Sequence, residues 1–228
     1  QFGVTSLPII TTLTAQNTQR VLSLEVTKNS LLELQFKLID EDINFNTVKI
    51  GLLGSSTQVK KISQLLSGRP GINIILDPII RASTGDDLNP RKMIEVIKKE
   101  LIPLCLILTP NQAELNALAP GLNEKSAVAS LNCPWVLVTT SDSSEIQIEH
   151  RLYYESELIK KFTYKKLLGE YHGSGCTLSS AIAALIATKI SVEDSCQLAL
   201  EYTYQSLLNA KKVGKMQYHP NRAAPIYI

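Results

Sequence analysis

The sequence predicts an α/β fold of three layers, with helices on both faces of a central, mostly parallel sheet. Three observations lead there. Short apolar, β-branched runs alternate with longer helix-patterned stretches along the 228 residues, and that alternation builds parallel sheets covered on both faces. Polar residues gather where the apolar runs end, which is where ligands bind in such sheets. Finally, His172-Gly173-Ser174-Gly175-Cys176-Thr177 runs straight into the small-residue, apolar stretch from Leu178 to Ala187.

Each element has its own signal. Leu7 to Leu13 is apolar and β-branched, as a buried strand would be. Ser30 to Asp40 carries a mixed apolar pattern that fits a helix. Thr47 to Leu53 is a strand ending at Gly54. Ser56 to Leu66 is a helix, with Ser55 or Ser56 as N-cap and Gly68 as its stop. Ile72 to Leu76 is a strand. Asn89-Pro90 opens a helix that runs to about Leu101, before Pro103. Leu104 to Leu108 is a buried strand, Gln112 to Leu118 a short helix, and Trp135 to Val138 another strand. A short helix, Lys125 to Leu131, precedes that strand. Ile146, Ile148, Leu152 and Tyr154 alternate as in a half-exposed hairpin. Two helices close the chain, Cys176 to Thr188 and Val192 to Ala210, the second opened by Ser191-Val192-Glu193-Asp194. No repeat or low-complexity linker interrupts the pattern, so residues 1–228 read as one domain.

Composition narrows the function classes. Hydrophobic residues make up 44% and charged residues 19%, as in an ordinary globule. A net charge of +2 argues against a nucleic-acid partner. Lysine pairs such as Lys60-Lys61 and Lys98-Lys99 mark solvated faces. No apolar run approaches membrane-spanning length, and no signal peptide is visible. The cysteines, Cys105, Cys133, Cys176 and Cys196, form no CxxC pair and have no His at metal-ligand spacing. That favours free thiols in a reducing compartment, the cytoplasm. The sequence opens at Gln1 rather than Met, close to an apparent strand, so a preceding segment is expected.

The stretch from Gly173 to Cys176 reads either as a phosphate cradle or as a structural turn with Cys176 a small buried hydrophobe. Glycines allow positive φ and a close approach to a ligand. The first turn of the helix behind them offers unpaired N–H groups and the positive end of its dipole to an anion. A cysteine there feels the same field, which lowers a thiol pKa. The residues that follow the other strands are Gln16 and Asn17, Lys49 to Gly51, Asp77, Asn111 with Glu114, and Thr139-Thr140. An acid such as Asp77 is rarely tolerated after a buried strand without a role, although Asp77-Pro78 also starts turns. Gln16 carries an amide that both donates and accepts. Asn111 and Glu114 share a helical face, or simply cap a helix.

Six motifs occur in order: Thr12-Leu13-Thr14-Ala15-Gln16-Asn17-Thr18, Val48-Lys49-Ile50-Gly51-Leu52-Leu53, Leu76-Asp77-Pro78-Ile79-Ile80, Ser83-Thr84-Gly85-Asp86-Asp87-Leu88, Leu108-Thr109-Pro110-Asn111-Gln112-Ala113-Glu114, and His172 to Ser179. Together they resemble the hydroxymethylpyrimidine/phosphomethylpyrimidine kinases of thiamine biosynthesis, within the ribokinase-like superfamily, over nearly the whole chain. The resemblance implies phosphoryl transfer from ATP, with Mg²⁺, to the hydroxymethyl group of an aminopyrimidine and then to its monophosphate. It implies that the N–H groups of Gly173, Ser174, Gly175 and Cys176 hold the transferring phosphate, and that Cys176 lies beside the substrate hydroxyl as base or as pocket wall. It places Gln16, Thr14 and Leu52 at the pyrimidine, Asp77, Asn111 and Thr139 on the nucleotide side, and Glu114 near the metal, directly or through water. It also implies a homodimer.

Two departures from the family pattern stand out. A glycine-rich segment upstream of Gly3-Val4-Thr5, which supplies a strand and a substrate-binding Asp, is absent from the sequence given. Thr139-Thr140-Ser141-Asp142 stands where the family usually has Lys-Gly-Gly-His, and Arg81-Ala82-Ser83 where it often has Ala-Lys-Ser. Arg81 is a candidate to restore part of the lost positive charge. Two other readings remain at this point: a pyridoxal-type kinase, and a degenerate, non-catalytic pyrimidine-binding protein.

Overall fold

Strands buried on both faces read as unbroken apolar runs, yet their side chains still alternate between the two sides. The computed structural model shows this alternation directly. It describes residues 1–80, 91–140 and 146–223. The expectations for Arg81, for Ser83 to Asp86, for the Asn89-Pro90 cap and for Ser141-Asp142 lie outside the described residues.

A ribbon of β1 (Thr12–Gln16) and β2 (Val21–Val26) comes first, followed by α1 (Asn29–Asp42), β3 (Thr47–Ile50), α2 (Ser56–Ser67) and β4 (Asn73–Leu76). Next come α3 (Arg91–Val96), β5 (Ile107–Leu108), α4 (Gln112–Leu118), α5 (Glu124–Ser130) and β6 (Trp135–Val138). The hairpin β7 (Gln147–Tyr154) and β8 (Glu157–Lys165) leads to α6 (Ser174–Ala187) and α7 (Val192–Leu208). The main sheet has the order β3-β4-β5-β6-β7-β8, parallel from β3 to β6 and antiparallel through β7 and β8.

The sheet divides two cores. Ile74, Leu76, Leu108, Val136 and Val138 pack with Leu32, Val59, Leu66, Leu101 and Leu115 of the helices on one face. Ile75, Ile107 and Leu137 pack with Ile182, Leu185, Cys196 and Leu200 of α6 and α7 on the other. Each such side chain contributes about 1.5–3 kcal/mol of burial, so one slip in register would move a whole layer to the wrong face.

Local signals explain most boundaries. Ser55 Oγ accepts from Gln58 N at 3.2 Å and starts α2. Ser191 Oγ accepts from Asp194 N at 3.1 Å and starts α7. Gly68 does end α2, but with φ −75° rather than in the left-handed region.

Three expectations change. The strand expected at Leu104 to Leu108 shrinks to Ile107–Leu108, because Ile102–Leu104, with its proline, closes a 3-10 turn after a π-type turn at Ile97–Leu101. The strand expected from Thr47 to Leu53 stops at Ile50. The strand expected over Leu7 to Leu13 is replaced by Thr12–Gln16, which pairs with β2 as an antiparallel ribbon outside the main sheet. Residues 7–11 join no strand. A cavity of about 1040 Å³ adjoins them, and its walls include Leu7, Ile9, Phe36, Val48, Ala183 and Ala187. Among the described residues the outer edge of β3 beside it is unpaired.

Candidate active site

Gly173 sets the geometry. Its φ of +81° lets the chain turn abruptly into α6, and it caps that helix without a side chain. Among the described residues the N–H groups of Ser174, Gly175 and Cys176 have no acceptor, while Thr177 N already donates to Gly173 O at 2.9 Å. A first turn of this kind favours an anion. Ser174 and Gly175 therefore lie inside the helix, and the helix expected to begin at Cys176 starts two residues earlier.

Asp77 lies directly against this turn. It follows β4, is 4% exposed, and accepts from Ser179 Oγ at 3.0 Å. Lys49 Nζ, from β3, lies 3.6 Å from Asp77 Oδ2. A Cβ at Gly51 would sit 2.8 Å from that ammonium, so a side chain there would push the end of Lys49 aside. A Cβ at Gly175 would meet Asp77 Oδ1 at 3.9 Å. Strand ends and helix start thus place Lys49, Asp77, Ser179 and Cys176 together.

Cys176 is exposed at the surface, whereas Cys105, Cys133 and Cys196 are buried, and all are free. The expectation of a lowered thiol pKa is overturned. Crowding around the sulfur raises it, and the charge of the nearby Asp77 carboxylate raises it further; Lys49 and Arg222 pull the other way. The resting group is the thiol.

Glu114 and Asn111 form a reciprocal cap on α4. Glu114 N donates to Asn111 Oδ1 at 2.9 Å, and Asn111 N donates to Glu114 Oε2 at 2.8 Å. The cap uses the Asn111 side-chain oxygen and not its NH₂. Burial pushes the Glu114 carboxyl up to about 8; the Asn111 N–H works against this, and the nearby Asp77 adds to it. Thr139 sits beside Asn111 in a parallel bridge, with Thr139 N donating to Pro110 O at 2.9 Å.

Gln16 reaches the same end of the sheet. Its Nε2 lies 3.1 Å from His172 Nε2. Burial, with His219 and Arg222 nearby, lowers the His172 pKa, so a neutral ring can accept this hydrogen bond. Thr14 is not tied to the cluster: it is exposed, opposite Leu24 in the ribbon, and its hydroxyl makes no hydrogen bond among the described residues. Leu52 lies on the wall of the large cavity, with its C=O accepting from Thr11 Oγ1 at 2.7 Å.

Sequence reasoning named Lys49 only as a strand-end position and His172 only as part of the glycine motif, without a role for either, and did not assign Ser179 or Arg222 to the site. Lys49 and Ser179 stand inside quoted motifs, so their spacing carried a usable signal. Arg222 had none. Its Nε donates to Thr177 Oγ1 at 2.9 Å and its Nη2 approaches Gly173 O at 3.4 Å, from a segment that returns to α6 only in three dimensions. Among the described residues no group of three His, Cys, Asp or Glu side chains converges as a metal cage. The Glu114 carboxyl still suits Mg²⁺, which needs only one or two carboxylates beside substrate phosphates.

The sequence pattern of the family described as phosphomethylpyrimidine kinase matches residues 1–221. The chain belongs to this family. The resemblance read from the six motifs therefore holds, and so does the fold class. Among this family member's relatives, the hydroxymethylpyrimidine/phosphomethylpyrimidine kinase of Aquifex aeolicus is 27% identical, over 94% of the chain and 87% of the relative. A chloroplastic thiamine biosynthetic bifunctional enzyme of Arabidopsis thaliana is 28% identical, over 92% of the chain but only 42% of that enzyme. The chain spans less than half the length of such longer relatives. The solved phosphomethylpyrimidine kinase of Clostridium difficile matches with a TM-score of 0.75 at 25% identity, covering 90% of this chain and 88% of that one. An ADP complex of Bacillus subtilis pyridoxal kinase shares the fold, with a TM-score of 0.82 at 18% identity, over 92% of this chain and 82% of that one. Among the described residues no helix is long and apolar enough to cross a membrane.

Proposed function

We propose that this family member transfers a phosphoryl group from ATP to the hydroxymethyl oxygen of an aminopyrimidine, and then to the resulting monophosphate. One observation carries the reading: the N–H groups of Ser174 to Cys176, unpaired among the described residues, open beside Lys49, Asp77 and the Cys176 thiol. Phosphoryl transfer needs little more than positioning and charge stabilisation. The bond between the γ-phosphorus and its bridging oxygen breaks as the hydroxymethyl oxygen bonds to phosphorus. The hydroxyl proton passes to the Cys176 sulfur while the thiol proton passes to Asp77, so no resting thiolate is needed. The N–H groups steady the equatorial oxygens, and Gln16 orients the pyrimidine. Glu114, directly or through water, would hold Mg²⁺, which would neutralise phosphate charge.

The same reading takes residues 1–228 as one ribokinase-like domain whose sheet accepts a further strand at the open edge of β3. Free cysteines fit a reducing, cytoplasmic setting. Leu31, Leu34 and Leu38 are 52%, 57% and 66% exposed along α1, an apolar stripe that suits a homodimer contact.

The test is ATP consumption with the hydroxymethyl-aminopyrimidine, its monophosphate and pyridoxal in parallel. Turnover of both pyrimidines above pyridoxal is expected. Pyridoxal turnover alone would replace the substrate, and pyrimidine binding without any turnover would leave a binding protein.

A further inference from the structure

We propose that Arg222 is a phosphate-binding residue of this site, contacting the group that passes over Gly173 to Cys176; this rests on the kinase reading. The guanidinium is held at the rim of the α6 N-terminus. Its Nε donates to Thr177 Oγ1 at 2.9 Å and its Nη2 to Gly173 O at 3.4 Å. A Cβ built on Gly173 would come within 2.8 Å of Nη2, so the arginine lies directly against the glycine of the cradle. Tyr202 OH donates to Arg222 O at 2.8 Å and fixes the backbone from α7.

Charge and donor count point to an anion. Both side-chain acceptors are neutral, and among the described residues no carboxylate pairs with Arg222. Lys49, the other cation acting on Cys176, is already matched by Asp77. Arg222 therefore supplies the unbalanced positive charge. A guanidinium has five N–H donors. Thr177 and Gly173 occupy two, which leaves three for phosphate oxygens, the geometry that favours arginine at such groups.

The experiment compares wild type with Arg222→Gln, Arg222→Lys and Arg222→Ala. It measures steady-state kinetics with ATP and the aminopyrimidine, calorimetric binding of a non-hydrolysable ATP analogue, and Tm. We expect Arg222→Gln to lose about 10²-fold in kcat/KM, with weakened analogue binding and a Tm near wild type. Arg222→Lys should recover part of the loss, and added guanidinium should restore Arg222→Ala. Unchanged kinetics and analogue affinity in Arg222→Gln would overturn the proposal, as would a lower Tm with kinetics per folded molecule intact. If wild type turns over no substrate, the kinase reading fails, and the analogue affinities of wild type and Arg222→Gln still decide the role of Arg222.

Discussion

Ser179 Oγ donates to Asp77 Oδ2 at 3.0 Å, joining the second turn of α6 to the end of β4 across 102 residues. The same oxygen lies 3.0 Å from Gly175 O, so one hydroxyl ties the carboxylate to the cradle. Both residues are buried. Ser179→Ala removes a donor to a charged acceptor and should destabilise the chain by about 1–3 kcal/mol. Urea unfolding measures this as a lower midpoint at unchanged slope. A wild-type midpoint would mean that Asp77 finds another donor.

Glu114 makes stability depend on pH. Its folded value of about 8 lies above the ordinary 4.5. Between these values the folded chain holds more protons than the unfolded one, so stability falls as pH rises through the window and levels off above about 8. Glu114→Gln keeps a capping-box side chain but removes the charge. Its Tm should fall less between pH 5 and 9 than that of wild type. Mg²⁺ should raise the wild-type Tm at pH 8 and leave Glu114→Gln unmoved. Parallel Tm profiles would show that Glu114 stays ionised in the fold.

Cys176 is the accessible thiol among buried ones, yet its pKa is raised by crowding and by Asp77. Labelling by iodoacetamide should therefore be confined to one site, slow at pH 7, and faster as pH climbs past 9. Cys176→Ala should lower kcat by about 10²-fold or more, the range of general-base loss. Rapid labelling at pH 7, or a near-normal kcat, would remove Cys176 from the proton path.

What the sequence revealed, and what it hid, divides along the same physical line. Asp77 was readable because an acid after a buried strand violates the burial pattern. Asn111 and Glu114 were readable because a helix start has its own grammar, and the cap proved real. Leu7 to Thr11 were misread because apolar, β-branched composition reports a preference for strand, whereas a strand also needs a neighbour to pair with. Arg222 was invisible for a related reason. Its place depends on Tyr218 N donating to Glu170 O at 2.8 Å and Asn221 N to Ser206 O at 2.9 Å, pairings between distant segments that no local spacing encodes.

Gly173 combines two constraints that a single substitution separates. Its φ of +81° is left-handed, and the space where a Cβ would stand holds Arg222 Nη2 at 2.8 Å. Gly173→Ala should cost about 1–2 kcal/mol for the backbone alone, read as a fall in Tm. It should also displace the guanidinium and lower kcat/KM beyond what the stability loss explains. Gly173→Ala combined with Arg222→Gln relieves the clash and keeps the backbone cost. The double variant should then regain part of the Tm lost in Gly173→Ala, while its kcat/KM stays as low as that of Arg222→Gln. Strictly additive Tm losses would show that the two residues do not contend for the same space.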